Sequence, residues 1–318
     1  MGRSNGVILS IIIPAYNCAE TIERAVDSIQ ENVVGDTEIL VIENGSTDDT
    51  NCRIEKLLKR YSNIRYYRSK NGVYNARNMG IEKSIGEFIM FLDADDEILC
   101  KICIADLTKD GSDIAIFGRA HYLGCKIDKI WTHSKSEILN VDSLSREFKH
   151  IFNENILSCC TAKIYKSSII KKNRIRFPPV ETYEDLLFVL LYVSCIKSIG
   201  LYEKIIYKQN DTEGSLSKRI KKNYESQVEY VIKSLKSLYK KLHIDDSTFV
   251  NNQVIYLVSL IDRNQILKDG RVLGISSEYI NNEIKFGYRD LSFKYYIICK
   301  LHKLKMYRIL TLIESMRI

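Results

Sequence analysis

Proline is scarce in this chain: three residues in 318, all before residue 180. Proline ends or kinks helices, so the proline-free stretch from residue 180 onward favours long ones. The nine cysteines are scattered without the spaced pairs of a disulfide framework, which excludes a stapled scaffold and fits a reducing compartment. Cys100 and Cys103 form a lone C-x-x-C with no second Cys or His pair at finger spacing, so they read as core thiols rather than zinc ligands. The opening Met1-Gly2-Arg3-Ser4-Asn5-Gly6 has no apolar export segment, and Gly6 breaks the myristoylation pattern. The first apolar run, Val7 to Ile13, stops at Pro14, too short to span a bilayer. No internal repeat, low-complexity segment or flexible linker interrupts the chain. Its histidines and the Ser158-Cys159-Cys160 run form no arguable nucleophile–base pair.

What is present is ordinary for a globular protein: 45% hydrophobic and 27% charged residues, enough chain for one large domain or two smaller ones. The net charge of +7 is unevenly placed, with bases dense after Ser217 and again near the C-terminus. An anionic partner is expected there. No nucleic-acid reader motif accompanies the bases, so nucleic acid is not expected.

The organising stretch is Glu87-Phe88-Ile89-Met90-Phe91-Leu92-Asp93-Ala94-Asp95-Asp96. Five apolar residues without alternation read as a strand buried on both faces, as in a parallel sheet covered by helices. Such sheets bind ligands beyond the carboxyl ends of their strands, which is where the three aspartates fall. Crowded carboxylates repel unless a cation shares them. Mg²⁺ or Mn²⁺ suits oxygen ligands and completes its shell with substrate phosphates. An acidic turn after a core strand is the plainer alternative.

Upstream, Val7–Ile13 reads as another buried strand, and Asn17 with Glu20 as a capping box for a helix carrying Ile22, Ala25, Val26 and Ile29. Glu38–Glu43 is a strand that breaks at Asn44-Gly45 into a helix with Ile54, Leu57, Leu58 and Tyr61 on one face. Ile64–Tyr67 is a short strand, followed after Asn71-Gly72 by a helix through Ala76, Met79 and Gly80. This βαβαβαβ order predicts a doubly wound, mostly parallel sheet.

Beyond Asp96, strands are expected at Ile114–Phe117, Ala120–Leu123, Lys126–Trp131, Cys160–Tyr165 and Tyr202–Tyr207. Helices are expected at Ser143–Phe152, Ser167–Lys172 and Leu186–Ile196, the last opened by Glu184-Asp185. From Asn223 onward only helices are expected: one with a stripe from Tyr224 to Leu242, one at Val250–Leu267 and one at Leu291–Ile313. The boundary falls near Ser217.

Five segments then stand in a meaningful order: Ser10 to Asn17, Ile42 to Asp48, Asn71-Gly72 with Ala76 to Gly80, Phe91 to Asp96, and Tyr183-Glu184-Asp185. Over roughly residues 7–215 the chain resembles the family 2 glycosyltransferases, inverting enzymes of the GT-A fold. The resemblance implies an α/β, Rossmann-like GT-A domain over residues 1–216, with a nucleotide-sugar half to about residue 97 and an acceptor half to 216. An all-helical region, 217–318, follows.

The resemblance also implies roles. Pro14, Ala15, Tyr16 and Asn17 would hold base and ribose. Where the family most often has two aspartates, this chain departs with Glu43-Asn44; Glu43 can still accept from a pyrimidine N3–H, and Asn44 can donate and accept. The base implied is uracil or thymine, and the donor implied a UDP-sugar. Arg77 would approach the diphosphate. Asp93, Ala94 and Asp95 match the D-x-D motif, with Asp95 and Asp93 on Mn²⁺ or Mg²⁺, a Lewis acid for the departing diphosphate; Asp96 would tune the site. Asp185 matches the base that takes a proton from the acceptor hydroxyl, and a helix start favours its negative charge. Lys163, Tyr165, Ser215 and Ser217 resemble segments of polysaccharide-building members.

The acceptor implied is a glycan or lipid-linked saccharide, the location cytoplasmic or peripheral on the inner face of the membrane. The basic, aromatic-rich segment after Asp290 would lie on the anionic surface or join a second copy of the chain. A catalytically inactive nucleotide-sugar-binding scaffold on the same fold is the alternative function. A nucleotidyltransferase would show a glycine-rich loop after the first strand, which Pro14-Ala15-Tyr16-Asn17 is not.

Overall fold

The apolar runs become a sheet whose strands are buried on both faces. A computed structural model describes residues 9–103, 111–211, 223–272, 274 and 291–316. The chain divides into two compact units, Met1–Glu213 and Gly214–Ile318.

In the first unit the strands run β1 (Leu9–Ala15), β2 (Val33–Val34), β3 (Thr37–Glu43), β4 (Ile64–Arg68), β5 (Phe88–Phe91), β6 (Glu97–Ile98), β7 (Ile102–Cys103), β8 (Ile114–Leu123), β9 (Lys126–Trp131), β10 (Glu137–Asn140), β11 (Lys163–Lys166) and β12 (Ser198–Asn210). The main sheet has the order β10-β12-β8-β11-β5-β1-β3-β4; β6 adds to β12 and β9 to β8, while β2 and β7 pair separately. From β5 to β4 every pairing is parallel, so the carboxyl ends of β5, β1 and β3 open on one edge. Antiparallel β11 then joins β5 to β8, and β12 runs parallel to β8.

Helices Ile22–Asn32, Thr50–Arg60 and Val73–Lys83 connect the parallel strands. Ile22, Ala25, Val26 and Ile29 face the core as their spacing predicts. On the next helix Ile54 and Leu57 are buried, but Leu58 is exposed. Gly80 lets Val73–Lys83 press on β1, since a Cβ there would stand 2.3 Å from Ile12 Cγ2.

Several expectations need correction. The capping box fails: the first helix begins at Ile22, and Asn17 is instead left-handed (φ 47°) with its side chain serving a neighbouring loop. Ile114–Phe117 and Ala120–Leu123 are one strand, because Gly118-Arg119 continues it; buried Arg119 stacks over the Trp131 ring, 4.3 Å from its centroid. The core-thiol reading fails for Cys103, which is exposed, as are Cys52 and Cys125.

In the second unit the helices are Tyr224–Lys241, Ser247–Asp269, Phe293–Lys303 and Tyr307–Ser315. Tyr224, Val228, Val231, Ile232 and Leu235 are buried as their stripe predicts. The single helix expected at Leu291–Ile313 is two, broken where Lys305 turns left-handed (φ 54°). Buried Asp262 meets His302 at 2.9 Å, and Arg263 meets Glu314 at the same distance. Among the described residues no helix is long and apolar enough to cross a membrane. Ser215 and Ser217 lie outside the described residues.

Candidate active site

Two loops at the open sheet edge are fastened together. Asn44 N–H donates to Ala15 O, because the ends of β1 and β3 are in register. Asn17 N–H donates to Ser46 Oγ at 3.0 Å, and Asn17 Oδ1 accepts from Thr47 N–H at 2.8 Å. Asp48 Oδ2 accepts from Ala19 N–H, and Thr50 Oγ1 from Cys18 N–H. Burial works against the charge on Asp48, but its bonds with Thr50 and the Ala19 amide outweigh that and lower its pKa.

Glu43 turns one oxygen back into this loop, where Oε1 accepts from the amides of Gly45 and Ser46. Gly45 takes φ 100°, which glycine alone adopts readily. Oε2 lies 3.9 Å from Arg68. Asn44 Oδ1 is buried and has no hydrogen-bond partner among the described residues. Pro14 to Asn17 and Glu43-Asn44 are thus brought into one place.

The second cluster centres on Arg77, which is 4% exposed rather than on the surface. Its Nη2 donates to Asp93 Oδ1 at 2.9 Å and its Nη1 to Asp185 Oδ1 at 2.5 Å, with Glu184 at 3.5 Å. The guanidinium sits 5.3 Å over the Phe177 ring, whose backbone is held by the Asn78 side chain. Phe177 in turn stacks on Phe188 at 4.0 Å. Three carboxylates on one guanidinium leave surplus negative charge. Burial raises the pKa of Asp93, Arg77 lowers it, and Asp185 and Asp95 add to the rise. A divalent cation would relieve that surplus, so the hard oxygens of Asp93 and Asp95 fit one.

Asp96 faces the other way. It is buried, accepting from Tyr207 Oη at 2.6 Å and Asn210 N–H at 2.9 Å, and burial with the nearby Asp93 and Asp95 charges lifts its pKa well up. Tyr207 Oη also accepts from Asp93 N–H, while Arg24 and Asn210 donate to Asp95 O. Strand β12 therefore shapes the acid turn. Tyr207, Asn210 and Arg24 carry no local motif, so their part was not readable from the sequence.

Asp185 opens the helix Glu184–Val193. The preceding Tyr183 is left-handed (φ 59°), an uncommon state for a bulky residue that turns the chain into the site. Cys160 N–H donates to Asp185 Oδ2 at 3.3 Å. That amide is set from below: Tyr165 Oη donates to Cys160 O at 2.9 Å, and buried Lys163 donates to Cys159 O at 2.7 Å and Thr161 O at 3.2 Å. Lys163 and Tyr165 are supports for this loop.

A strand-end acid turn, a loop pair at the sheet edge and a carboxylate at a helix start match one family. The description glycosyl transferase family 2 fits residues 10–174. The chain belongs to that family. A relative is the GalNAc(5)-diNAcBac-PP-undecaprenol beta-1,3-glucosyltransferase of Campylobacter jejuni, 34% identical over 167 residues, 47% of this chain and 52% of the relative. The chain thus spans about half the length of that curated relative. Another is the poly(ribitol-phosphate) beta-N-acetylglucosaminyltransferase TarP of Staphylococcus aureus, 27% identical over 248 residues, 73% of this chain and 72% of TarP. Residues 1–349 of S. aureus TarS in complex with UDP-GlcNAc share the fold at TM-score 0.66 and 20% identity, over 86% of this chain and 79% of that one.

Proposed function

We propose that this glycosyltransferase transfers a sugar, with inversion, from a UDP-sugar to a hydroxyl of a glycan or lipid-linked acceptor in cell-surface polymer synthesis. The observation that carries this is Arg77 binding Asp93 and Asp185 at once, which puts a D-x-D carboxylate and a candidate base on one guanidinium. The relatives' names, with undecaprenol-linked and poly(ribitol-phosphate) acceptors, support the acceptor class.

In this reading residues 1–216 are the catalytic domain and 217–318 a helical appendage. Pro14 to Asn17, Glu43 and Asn44 cradle the base and ribose. Asp93 and Asp95 hold Mn²⁺ or Mg²⁺, which when bound neutralises charge on the diphosphate. Asp185 takes the acceptor proton on a carboxylate oxygen as the hydroxyl attacks the anomeric carbon. Arg77, held through both Nη groups by carboxylates, orients Asp93 and Asp185. Calorimetric titration of UDP with and without Mn²⁺ tests the donor side. Asp95→Ala should lose metal-dependent binding and keep its fold; unaltered binding would remove Asp95 from the site.

The partner proposed for the last two helices is an anionic bilayer surface. Leu304, Met306, Ile309, Leu312 and Met316 are exposed on the same stretch as Lys303, Lys305 and Arg308. Bases near an anionic leaflet contribute about 1 kcal/mol each. In co-sedimentation with phosphatidylserine-containing vesicles the full chain should pellet at low salt, and the triple charge reversal K303E/K305E/R308E should not. Equal pelleting by both, or concentration-dependent self-association instead, would overturn it.

A further inference from the structure

The acceptor half holds a second set of ligand-bearing side chains, apart from the acid turn. His133, just beyond β9, is buried. Its Nδ1 meets Glu154 Oε2 at 2.6 Å, and its Nε2 meets Glu137 Oε1 at 2.8 Å. His150 Nε2 lies 3.4 Å from Glu154 Oε1. His150 belongs to the helix Val141–Asn153, and Glu154 N–H still donates to His150 O, so the two side chains share one helical face. One ligand atom from each of His133, His150 and Glu154 falls within 4.8 Å of the others. The two rings stand 6.1 Å apart at 68°, both directed at the same carboxylate.

We propose that His133, His150 and Glu154 form a transition-metal site of the zinc class. Two imidazole nitrogens and one carboxylate are the donor set that borderline metals prefer, whereas Mg²⁺ and Ca²⁺ prefer all-oxygen shells. Glu137 completes the arrangement. By accepting the Nε2 proton of His133 it leaves the Nδ1 lone pair facing the metal, the carboxylate–histidine–metal relay that orients such ligands. His150 is exposed, which provides an entry path and leaves a fourth position to water. The i,i+4 spacing brings His150 to Glu154, and the fold brings His133 to the same carboxylate from outside that helix.

The site sits at a useful place. Directly after Glu154, Asn155 O accepts from Arg119 Nη1 at 3.1 Å; the same guanidinium reaches Cys159 Sγ at 3.0 Å and Ser158 Oγ at 3.3 Å. This fastened segment ends at Cys160, whose amide holds Asp185. A metal at Glu154 pins the start of the segment that positions the candidate base.

The test is titration of the full-length, chelator-treated protein with Co²⁺ at pH 7.5, in excess Mg²⁺ to saturate oxygen-only sites. One equivalent should bind with visible bands of a nitrogen–oxygen tetrahedral site and be displaced by Zn²⁺. His150→Ala, a change at an exposed position, should weaken binding at least tenfold, and Glu137→Gln about 10–100-fold. Asp95→Ala should bind Co²⁺ like the wild type. Absence of stoichiometric binding, binding that His150→Ala leaves unaltered, or charge-transfer bands from thiolate ligands would each overturn the proposal. The cluster would then be an ion-paired histidine only.

Discussion

Arg77 Nη1 stands 2.5 Å from Asp185 Oδ1, across 108 positions of sequence. A buried guanidinium on the helix Val73–Lys83 thus fixes the orientation of a carboxylate on the helix Glu184–Val193. Substitutions at that pair test the proposed separation of donor binding from proton transfer.

Asp185→Asn is nearly isosteric and keeps a hydrogen-bond acceptor for Arg77, but the amide cannot take a proton. Transfer should fall about 10²–10⁴-fold, while UDP affinity by calorimetry stays within a factor of two or so of wild type. Near-normal turnover would dismiss Asp185 as the base.

Arg77→Met leaves Asp93, Glu184 and Asp185 crowded without their counter-charge. Breaking a buried pair from one side typically costs about 3–5 kcal/mol, so urea unfolding should show a large drop in midpoint. Arg77→Lys keeps the charge but not the fork that reaches two carboxylates. It should recover much of the stability and little of the transfer rate, which separates the two duties of the residue.

Asp113 supplies a pH dependence. Burial raises its pKa, but the Lys197 amide and the Lys166 ammonium, 2.9 Å from its two oxygens, outweigh this and lower it. The folded value lies below the unfolded one, so this contribution is full above the unfolded pKa of about 4. It is lost as pH falls through the folded value. Unfolding free energies measured from pH 6 downward (a range chosen around that of about 4) should decline less steeply in Asp113→Asn than in wild type; parallel curves would contradict the assignment.

Gly80→Ala should destabilise by about 1–3 kcal/mol through overpacking, since the new methyl meets Ile12. Adding Ile12→Ala should make the two changes less costly together than their sum, measured as a double-mutant cycle by thermal unfolding. Additive effects would mean the helix shifts away from β1 instead.

Much of the first unit was legible because its signals are local. β1, β3 and β5 are unbroken apolar runs that stop at polar turns, and Ala25, Val26, Ile54 and Leu57 recur at helical spacing. The candidate site residues Asp93, Asp95 and Asp185 stand at element ends, where pattern and motif coincide. What failed was decided at a distance. Asn17 looks like a cap, yet the loop after β3 competes for its side chain and wins. Arg119 looks like a break in a strand because its partners, Trp131 and the 155–159 segment, lie elsewhere in the chain. Likewise His133 is unremarkable alone, and only folding brings Glu137, His150 and Glu154 around it.

The Tyr207 hydroxyl has a consequence for biosynthesis. It sits 111 residues beyond Asp96, the carboxylate it holds. At about 5–20 residues per second, the ribosome needs roughly 6–20 s to make the intervening chain. During that interval the parallel strands β1, β3, β4 and β5 have emerged, while the acid turn still lacks the hydroxyl and the Asn210 amide that shape it. A nascent chain at this stage carries a sheet without a formed acid turn. On the proposed function, it gains its donor site only when β12 leaves the exit tunnel and docks beside β8.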